Sequence, residues 1–339
     1  MRVLVTGATG AIGTATVAQL IDAGHDVRIF ARRVPTAARW GPKGPFAKVD
    51  VTCGDIRDGE AVGRAMTAMD AVIHLAALLH VTAPDAAMKE DYRAVNVDGT
   101  SVVVRAAERA GVRRLVFAST IAVYGRTDGA LADEEGPVAP ETWYAETKLE
   151  AEQVVLAARA RQADRTGGAM GAVLRVGAVY GAQVKGNYRR LVEALRRGRF
   201  VPVGPGSNRR SLIHEHDLAR AFTLALTHER AGGRVFNIAN AEPATVDEIV
   251  TAICRALGRR PPRMRVPLAG ARLAAGVVEA LAKPIGIRAP VTRAALDKYV
   301  EDLAVDTTRA REELGFVPYL DLSAGWTRTV KELRAAGAL

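Results

Sequence analysis

Residues 2 to 13, Arg2-Val3-Leu4-Val5-Thr6-Gly7-Ala8-Thr9-Gly10-Ala11-Ile12-Gly13, decide the fold. A short apolar run with the character of a strand passes into three glycines spaced G-x-x-G-x-x-G, and an amphipathic run continues to Ala23. Strand, glycine turn and helix in that order supply the context that a glycine pattern lacks on its own. Gly7 permits the tight turn, Gly10 lets the backbone approach a diphosphate, and Gly13 lets the helix sit close to the strand. Phosphates then meet free N–H groups at the helix N-terminus. Gly7, Thr9, Gly10, Ala11, Ile12 and Gly13 are therefore the candidate contacts to a dinucleotide.

Working outward, the second strand, Asp26 to Phe30, ends in Ala31-Arg32-Arg33. Ala31 offers no carboxylate to an adenosine ribose, whereas Arg32 and Arg33 can neutralise a 2′-phosphate, so NADP is preferred over NAD. Solvated loop arginines are the alternative. A third strand closes on Cys53-Gly54-Asp55-Ile56-Arg57-Asp58, with Asp55 set to meet the adenine amino group, Ile56 to pack on its ring, and Asp58 to cap the next helix. Ala71 to Ala77 is apolar enough for a central parallel strand, and Leu75, Ala76 and Ala77 at its end are assigned to the cofactor. His74 within it is expected to be a core histidine, while His80 beyond it is open to a ligand. A helix from about Lys89 to Ala110 carries Asn96. Arg114 to Ala118 then delivers Ser119 and Thr120 at a carboxyl strand end, where ligands sit in open parallel sheets.

The chemistry is expected from Tyr144-Ala145-Glu146-Thr147-Lys148. In a helix, residues four apart share a face, so the ammonium of Lys148 stands near the phenol of Tyr144. A free phenol has a pKa of about 10, and a cation within roughly 6 Å brings it toward the range of neutral proton exchange. Thr120 adds a hydroxyl to hold the oxygen that gains or loses the proton. A surface ion-and-phenol pair is the bland alternative for so short a pattern.

At 339 residues, 49% hydrophobic and 25% charged, the chain is long enough for one large domain with an appended lobe. The formal charge of +10 suits anionic small molecules, but no compact Lys/Arg block is interleaved with aromatics, so nucleic acid is not expected as a partner. The two cysteines, Cys53 and Cys254, cannot make a disulfide framework, and no His/Cys/Asp cluster calls for a metal. The most apolar long stretch, Val266 to Ala282, is broken by Arg272 and Glu279 and is expected as a helix against a core or partner, not as a membrane span. No leader is apparent, so a cytoplasmic chain without a membrane partner is expected.

Several motifs fall in one order: T-G-A-T-G-A-I-G at 6–13, G-D-I-R-D at 54–58, H-L-A-A at 74–77, N-V-D-G-T at 96–100, F-A-S-T-I-A-V-Y-G at 117–125 and Y-A-E-T-K at 144–148. L-R-V-G-A-V-Y-G at 174–181, S-L-I-H-E-H-D-L-A at 211–219 and E-L-G-F-V-P at 313–318 continue it. Together they resemble the extended short-chain dehydrogenase/reductase family, of NAD-dependent epimerase/dehydratase type, closest to the nucleotide-sugar 4-epimerases and 4-ketoreductases. The resemblance implies an α/β fold: a Rossmann-type doubly wound parallel sheet with a smaller, mostly helical C-terminal substrate lobe. The first 175 residues would bind the dinucleotide, helped by a return strand near 234–239, and 176–339 would form the interleaved substrate lobe.

The resemblance implies that Tyr144 donates or accepts the proton, Lys148 binds the nicotinamide ribose and lowers the tyrosine pKa, and Thr120 holds the reacting oxygen. Ser119 is the neighbouring candidate, and Asn96 and Val176 join the cofactor contacts. Ile121-Ala122 stand where relatives that dehydrate sugars carry Asp-Glu, so 4,6-dehydration is not expected. Asn187 and Arg210 match residues that contact a sugar nucleotide, and His80 joins them. Residues 291–295, Val-Thr-Arg-Ala-Ala, lack the Arg-x-Gly-Asp-like grip of UDP-galactose epimerases and look equally like the 3β-hydroxysteroid dehydrogenase branch. The expected activity is NAD(P)-dependent hydride transfer at a secondary alcohol or ketone carbon, C4 of a nucleotide-activated sugar by preference. A reductase of a hydrophobic ketone, aldehyde or steroid-like alcohol is the second reading, and a non-catalytic NADP(H) sensor or scaffold a third. A homodimer through the helices near 90–110 and 144–163 is implied as well.

Overall fold

The computed structural model describes residues 1–35, 46, 49–79, 88–158, 169–282 and 292–339. The first six strands are β1 (Arg2–Thr6), β2 (Asp26–Ala31), β3 (Asp50–Cys53), β4 (Ala71–His74), β5 (Arg114–Thr120) and β6 (Gly171–Val176). Five more follow, β7 (Ala178–Tyr180), β8 (Arg209–Arg210), β9 (Leu212–His214), β10 (Val235–Ile238) and β11 (Ala244–Thr245). Seven of them form one sheet in the order β10-β6-β5-β4-β1-β2-β3, every pairing parallel. Strand order reverses between β1 and β4, so the connections leave this crevice toward opposite faces and open it to a ligand. β10 is the expected return strand and joins the sheet at its edge beside β6.

Alternate residues of each strand feed two separate cores. Val3, Val5, Ile73 and Val116 pack with Val17 and Leu20 of α1 (Ala11–Asp22), while Leu4, Val72, Leu115 and Phe117 pack on the other face. That second face is covered by α2 (Gly59–Met66), α4 (Gly99–Ala110) and α5 (Trp143–Leu156), while α3 (Met88–Arg93), just before α4, packs beside α5. The sequence predicts one helix over 89–110; instead a π-helical turn at Ala94–Asp98 separates α3 from α4 and holds Asn96. Such a bulge is a frequent companion of functional sites.

The C-terminal half adds α6 (Asn187–Arg196), α7 (Glu215–Thr227), α8 (Val246–Leu257), α9 (Leu268–Ala282), α10 (Arg293–Val300), α11 (Thr308–Glu313) and α12 (Leu322–Ala335). α7 returns to the main sheet, where Leu218 and Phe222 share the core of α1. α6, α8 and α12 enclose a third core around Trp326, which stacks on Tyr180 with ring centroids 4.4 Å apart. α9 is the helix expected against a core or a partner. Of its residues only Ala275 and Ala282 are buried, so most of its side chains are in water and not on a core of this chain. Among the described residues no helix is long and apolar enough to cross a membrane.

Candidate active site

Gly7 has φ +70°, and a Cβ there would lie 2.6 Å from the backbone nitrogen of Ala76, so the first turn presses directly on the chain leaving β4. At Gly13 a Cβ would meet Ala8 and the Gly7 carbonyl at 2.5 Å, which fixes α1 close to β1. Gly10 differs, for a Cβ there meets only the Gly7 oxygen, at 3.1 Å. It caps α1 without a side chain, leaving the first-turn N–H groups of Ala11, Ile12 and Gly13 unspent by any cap. Thr9, Ala11 and Ile12 are half-buried beside it. This cradle fits a dinucleotide diphosphate by shape and by the dipole of a twelve-residue helix.

Along the crevice, Leu75 donates its N–H to the Thr6 carbonyl and Ala76 to the Thr6 hydroxyl, so Leu75, Ala76 and Ala77 form the far wall, beyond a strand that ends at His74. His74 is a core histidine. The Thr6 hydroxyl lies 2.6 Å from its Nδ1 and Thr100 3.0 Å from its Nε2, and Thr100 itself donates to the Asn96 carbonyl. The chain of donors closes only with a neutral ring protonated at Nε2, and burial holds its pKa down to about 3.

At the adenosine end, Arg32 and Arg33 are exposed past β2. Asp55 is engaged by the Arg57 guanidinium at 2.8 and 2.9 Å, which together with the Arg57 N–H holds its carboxyl down at about 2. Ile56 is 8% exposed and packs against Gly99 of α4. Asp58 caps α2, accepting from Glu60 and Ala61 as expected.

The catalytic candidates converge where β5 ends and α5 begins. Thr142 caps α5 by accepting from the Ala145 N–H, which sets Tyr144 in the first turn and Lys148 one turn below it. Lys148 is 2% exposed and its Nζ lies 3.8 Å above the ring of Phe117, three residues before Thr120 on β5. Thr120, in register with Val176 of β6, accepts the N–H of Ala122 and retains its own proton to donate. Val176 is itself buried. Burial reverses the expected pKa order. It pushes the Tyr144 phenol up to about 12 and the Lys148 ammonium down to about 7, against the attraction of Glu152. Desolvation penalises both charged forms, and Tyr92 adds to the rise at Tyr144.

Ser119 and Asn96 both have protein partners. Ser119 is buried and its hydroxyl hydrogen-bonds Glu152. Asn96, 1% exposed, accepts from Leu78 N–H at 2.7 Å and donates to Thr147 at 3.1 Å, tying the chain after β4 to the face of α5 that carries Lys148. Beneath them is a network the sequence reading missed. Arg175 of β6 donates to Glu152 at 2.8 Å and to Tyr124 at 2.9 Å, and Tyr124 donates to Asn237 of β10. Glu152 lies one turn after Lys148, and that spacing was the available signal.

In the lobe, Asn187 is exposed at the start of α6. Arg210 is already engaged, its Nη1 3.4 Å from Glu301 and its Nη2 donating to the Lys298 carbonyl, while Lys298 reaches the same carboxylate. His80 lies outside the described residues, as does Val291. The atoms of Glu215, His216 and Glu332 come within 4.8 Å of one another, yet Arg328 donates to Glu332 at 2.8 Å, which opposes a second cation there.

The profile of the NAD dependent epimerase/dehydratase family matches residues 3–239, from β1 through the return strand. The chain belongs to that family. A 3 beta-hydroxysteroid dehydrogenase/Delta 5-->4-isomerase of Mycobacterium tuberculosis is 32% identical over 330 residues, 94% of this chain and 86% of the relative. A 2-alkyl-3-oxoalkanoate reductase of Stenotrophomonas maltophilia is 30% identical across all of both chains. Among solved structures, MoeE5 in complex with UDP-glucose and NAD superposes with a TM-score of 0.75 at 28% identity, covering 99% of each chain. As a member of this epimerase/dehydratase family the chain is an NAD(P)-dependent enzyme.

Proposed function

We propose that this enzyme reduces a hydrophobic ketone, or oxidises the corresponding secondary alcohol, with NADP(H) preferred over NAD(H). The observation that carries the substrate reading is Arg210. The guanidinium expected to clasp a sugar-nucleotide diphosphate instead holds Glu301, a carboxylate that is 2% exposed, and a backbone carbonyl. A diphosphate would have to displace that carboxylate and leave it buried with Lys298 alone, a cost of several kcal/mol by analogy with other broken buried pairs, about 3–5. Both curated relatives described above carry names of enzymes acting on apolar carbonyl or steroid substrates, which supports the same reading.

In this account the glycine cradle at 7–13 binds the diphosphate, and Arg32 and Arg33 take the 2′-phosphate. The nicotinamide supplies or accepts the hydride. Thr120 donates a hydrogen bond to the substrate oxygen and fixes its position without giving up its proton. Tyr144, protonated throughout the neutral range, is the acid that delivers a proton to the same oxygen in reduction. Lys148, poised near neutrality, recharges it and binds ribose hydroxyls. A homodimer through α4 and α5 accompanies this reading.

A nucleotide sugar is the second reading, favoured by the likeness to MoeE5 and by two cations, Arg210 and Lys298, sharing one carboxylate. The experiment follows NADPH consumption with a 3-ketosteroid and a long-chain β-keto acid, and melting of the protein with UDP or UDP-glucose. Turnover of an apolar ketone with no shift by UDP is expected. A UDP-induced shift with no turnover of either ketone would overturn the substrate assignment.

A further inference from the structure

α9 is built inside out. Its two charged side chains turn toward α10, Arg272 bonding Asp297 at 2.5 Å and Glu279 bonding Arg293 at 2.9 Å, and these pairs fix the helix rotation. The opposite stripe, Leu273, Val277 and Leu281 at i, i+4 and i+8, is 73%, 53% and 68% exposed. Met264, 83% exposed, and Val201, 52% exposed, lie on the two segments ahead of the helix that the strand-like bridge between Val203 and Val266 joins.

Two arginine-rich stretches lead into this region, one running directly into α9 and the other joined to the first by that bridge. Residues 194–204 hold Arg196, Arg197 and Arg199, and residues 255–268 hold Arg255, Arg259, Arg260, Arg263 and Arg265, with no Asp or Glu in either. The stretches are neighbours in space, as the Arg259 guanidinium lies 3.6 Å from where a Gly198 Cβ would be. Only Arg265 of these is paired to a carboxylate among the described residues, that of Asp247.

We propose that α9 and these arginines dock the enzyme on an anionic lipid surface, with α9 lying in the interface plane. An apolar stripe together with unpaired cations matches the acyl boundary and the anionic headgroups at once. A polyanion such as nucleic acid complements the arginines and leaves the stripe wet. At fifteen residues α9 spans about 22 Å, too short to cross and long enough to lie flat. The proposal departs from the expectation of no membrane partner, while among the described residues no helix is long and apolar enough to cross a membrane.

Vesicle co-sedimentation of the purified full chain tests this without any substrate, so it stands or falls apart from the ketone assignment. Vesicles of phosphatidylcholine alone are compared with vesicles holding about 30% phosphatidylglycerol, whose charge should supply about a fivefold gain in partition per arginine. Binding to the anionic vesicles, at least tenfold weaker to neutral ones and weakened by salt, is expected. Leu273→Ser/Val277→Ser/Leu281→Ser and, separately, Arg196→Gln/Arg197→Gln/Arg199→Gln should each lower it tenfold or more, with NADPH binding intact as the check on folding. No binding to anionic vesicles, or binding untouched by either set, overturns the proposal. So does a drop in native mass caused by the apolar triple substitution, which would give the face to a second copy of the chain.

Discussion

Lys148 shows how a single buried group makes the site sensitive to pH. Its ordinary pKa of about 10.5 is brought to about 7, so between those values the unfolded chain binds more protons than the folded one. Stability contributed at this position therefore rises as pH climbs through that window, and the penalty is full below it. Lys148→Met removes the titrating group, and denaturant melts from pH 7 to 10 should show a flatter rise for the variant than for the wild type. Glu152 has the opposite character. Its carboxylate, 0% exposed, answers the Arg175 guanidinium, and Glu152→Ala leaves that cation buried alone. A loss of about 3–5 kcal/mol in unfolding free energy is expected from the variant. Thr120→Ala removes one donor to the reacting oxygen, with kcat expected to fall about 10²-fold or more and Thr120→Ser to retain most of it.

At the scale of elements, the glycine turn and α5 were legible because their information is local. G-x-x-G-x-x-G and Tyr144-x-x-x-Lys148 each encode geometry within one or two turns, and the structure puts the first at the β1–α1 turn and the second in the first two turns of α5. Gly13→Ala tests the tightest of these contacts. A Cβ 2.5 Å from Ala8 forces α1 away from β1, costing about 1–3 kcal/mol and weakening NADPH binding in a fluorescence titration. Arg32→Ala/Arg33→Ala should raise KM for NADPH roughly tenfold with little change for NADH, since only the phosphorylated ribose meets those charges. The interruption of the helix at 94–98 was not legible. Its cause is the pair of bonds from Asn96 to Leu78, 18 residues away in sequence, and helical periodicity carries no trace of such a partner.

Across the whole molecule, the parallel sheet followed from the alternation of strands and helices, and the return strand at 235–238 appeared where it was expected. The lobe was harder to anticipate. Whether Arg210 is open or engaged depends on Glu301, 91 residues further on, and no spacing links them. The apolar stretch of α9 was expected against a core or a partner, and the exposure of its stripe emerges only once Arg272 and Glu279 are seen to claim the side toward α10. The pKa order at Tyr144 and Lys148 likewise depends on how deeply the fold encloses them, which spacing alone does not state.

Replacement of Tyr144 by phenylalanine is the most direct test of the proton role on which the proposed reaction rests. NADPH binding to Tyr144→Phe, measured by fluorescence titration, should stay within a few-fold of wild type, while NADPH-dependent reduction of the apolar ketone falls by about 10²–10⁴. Turnover that survives the substitution would contradict the account.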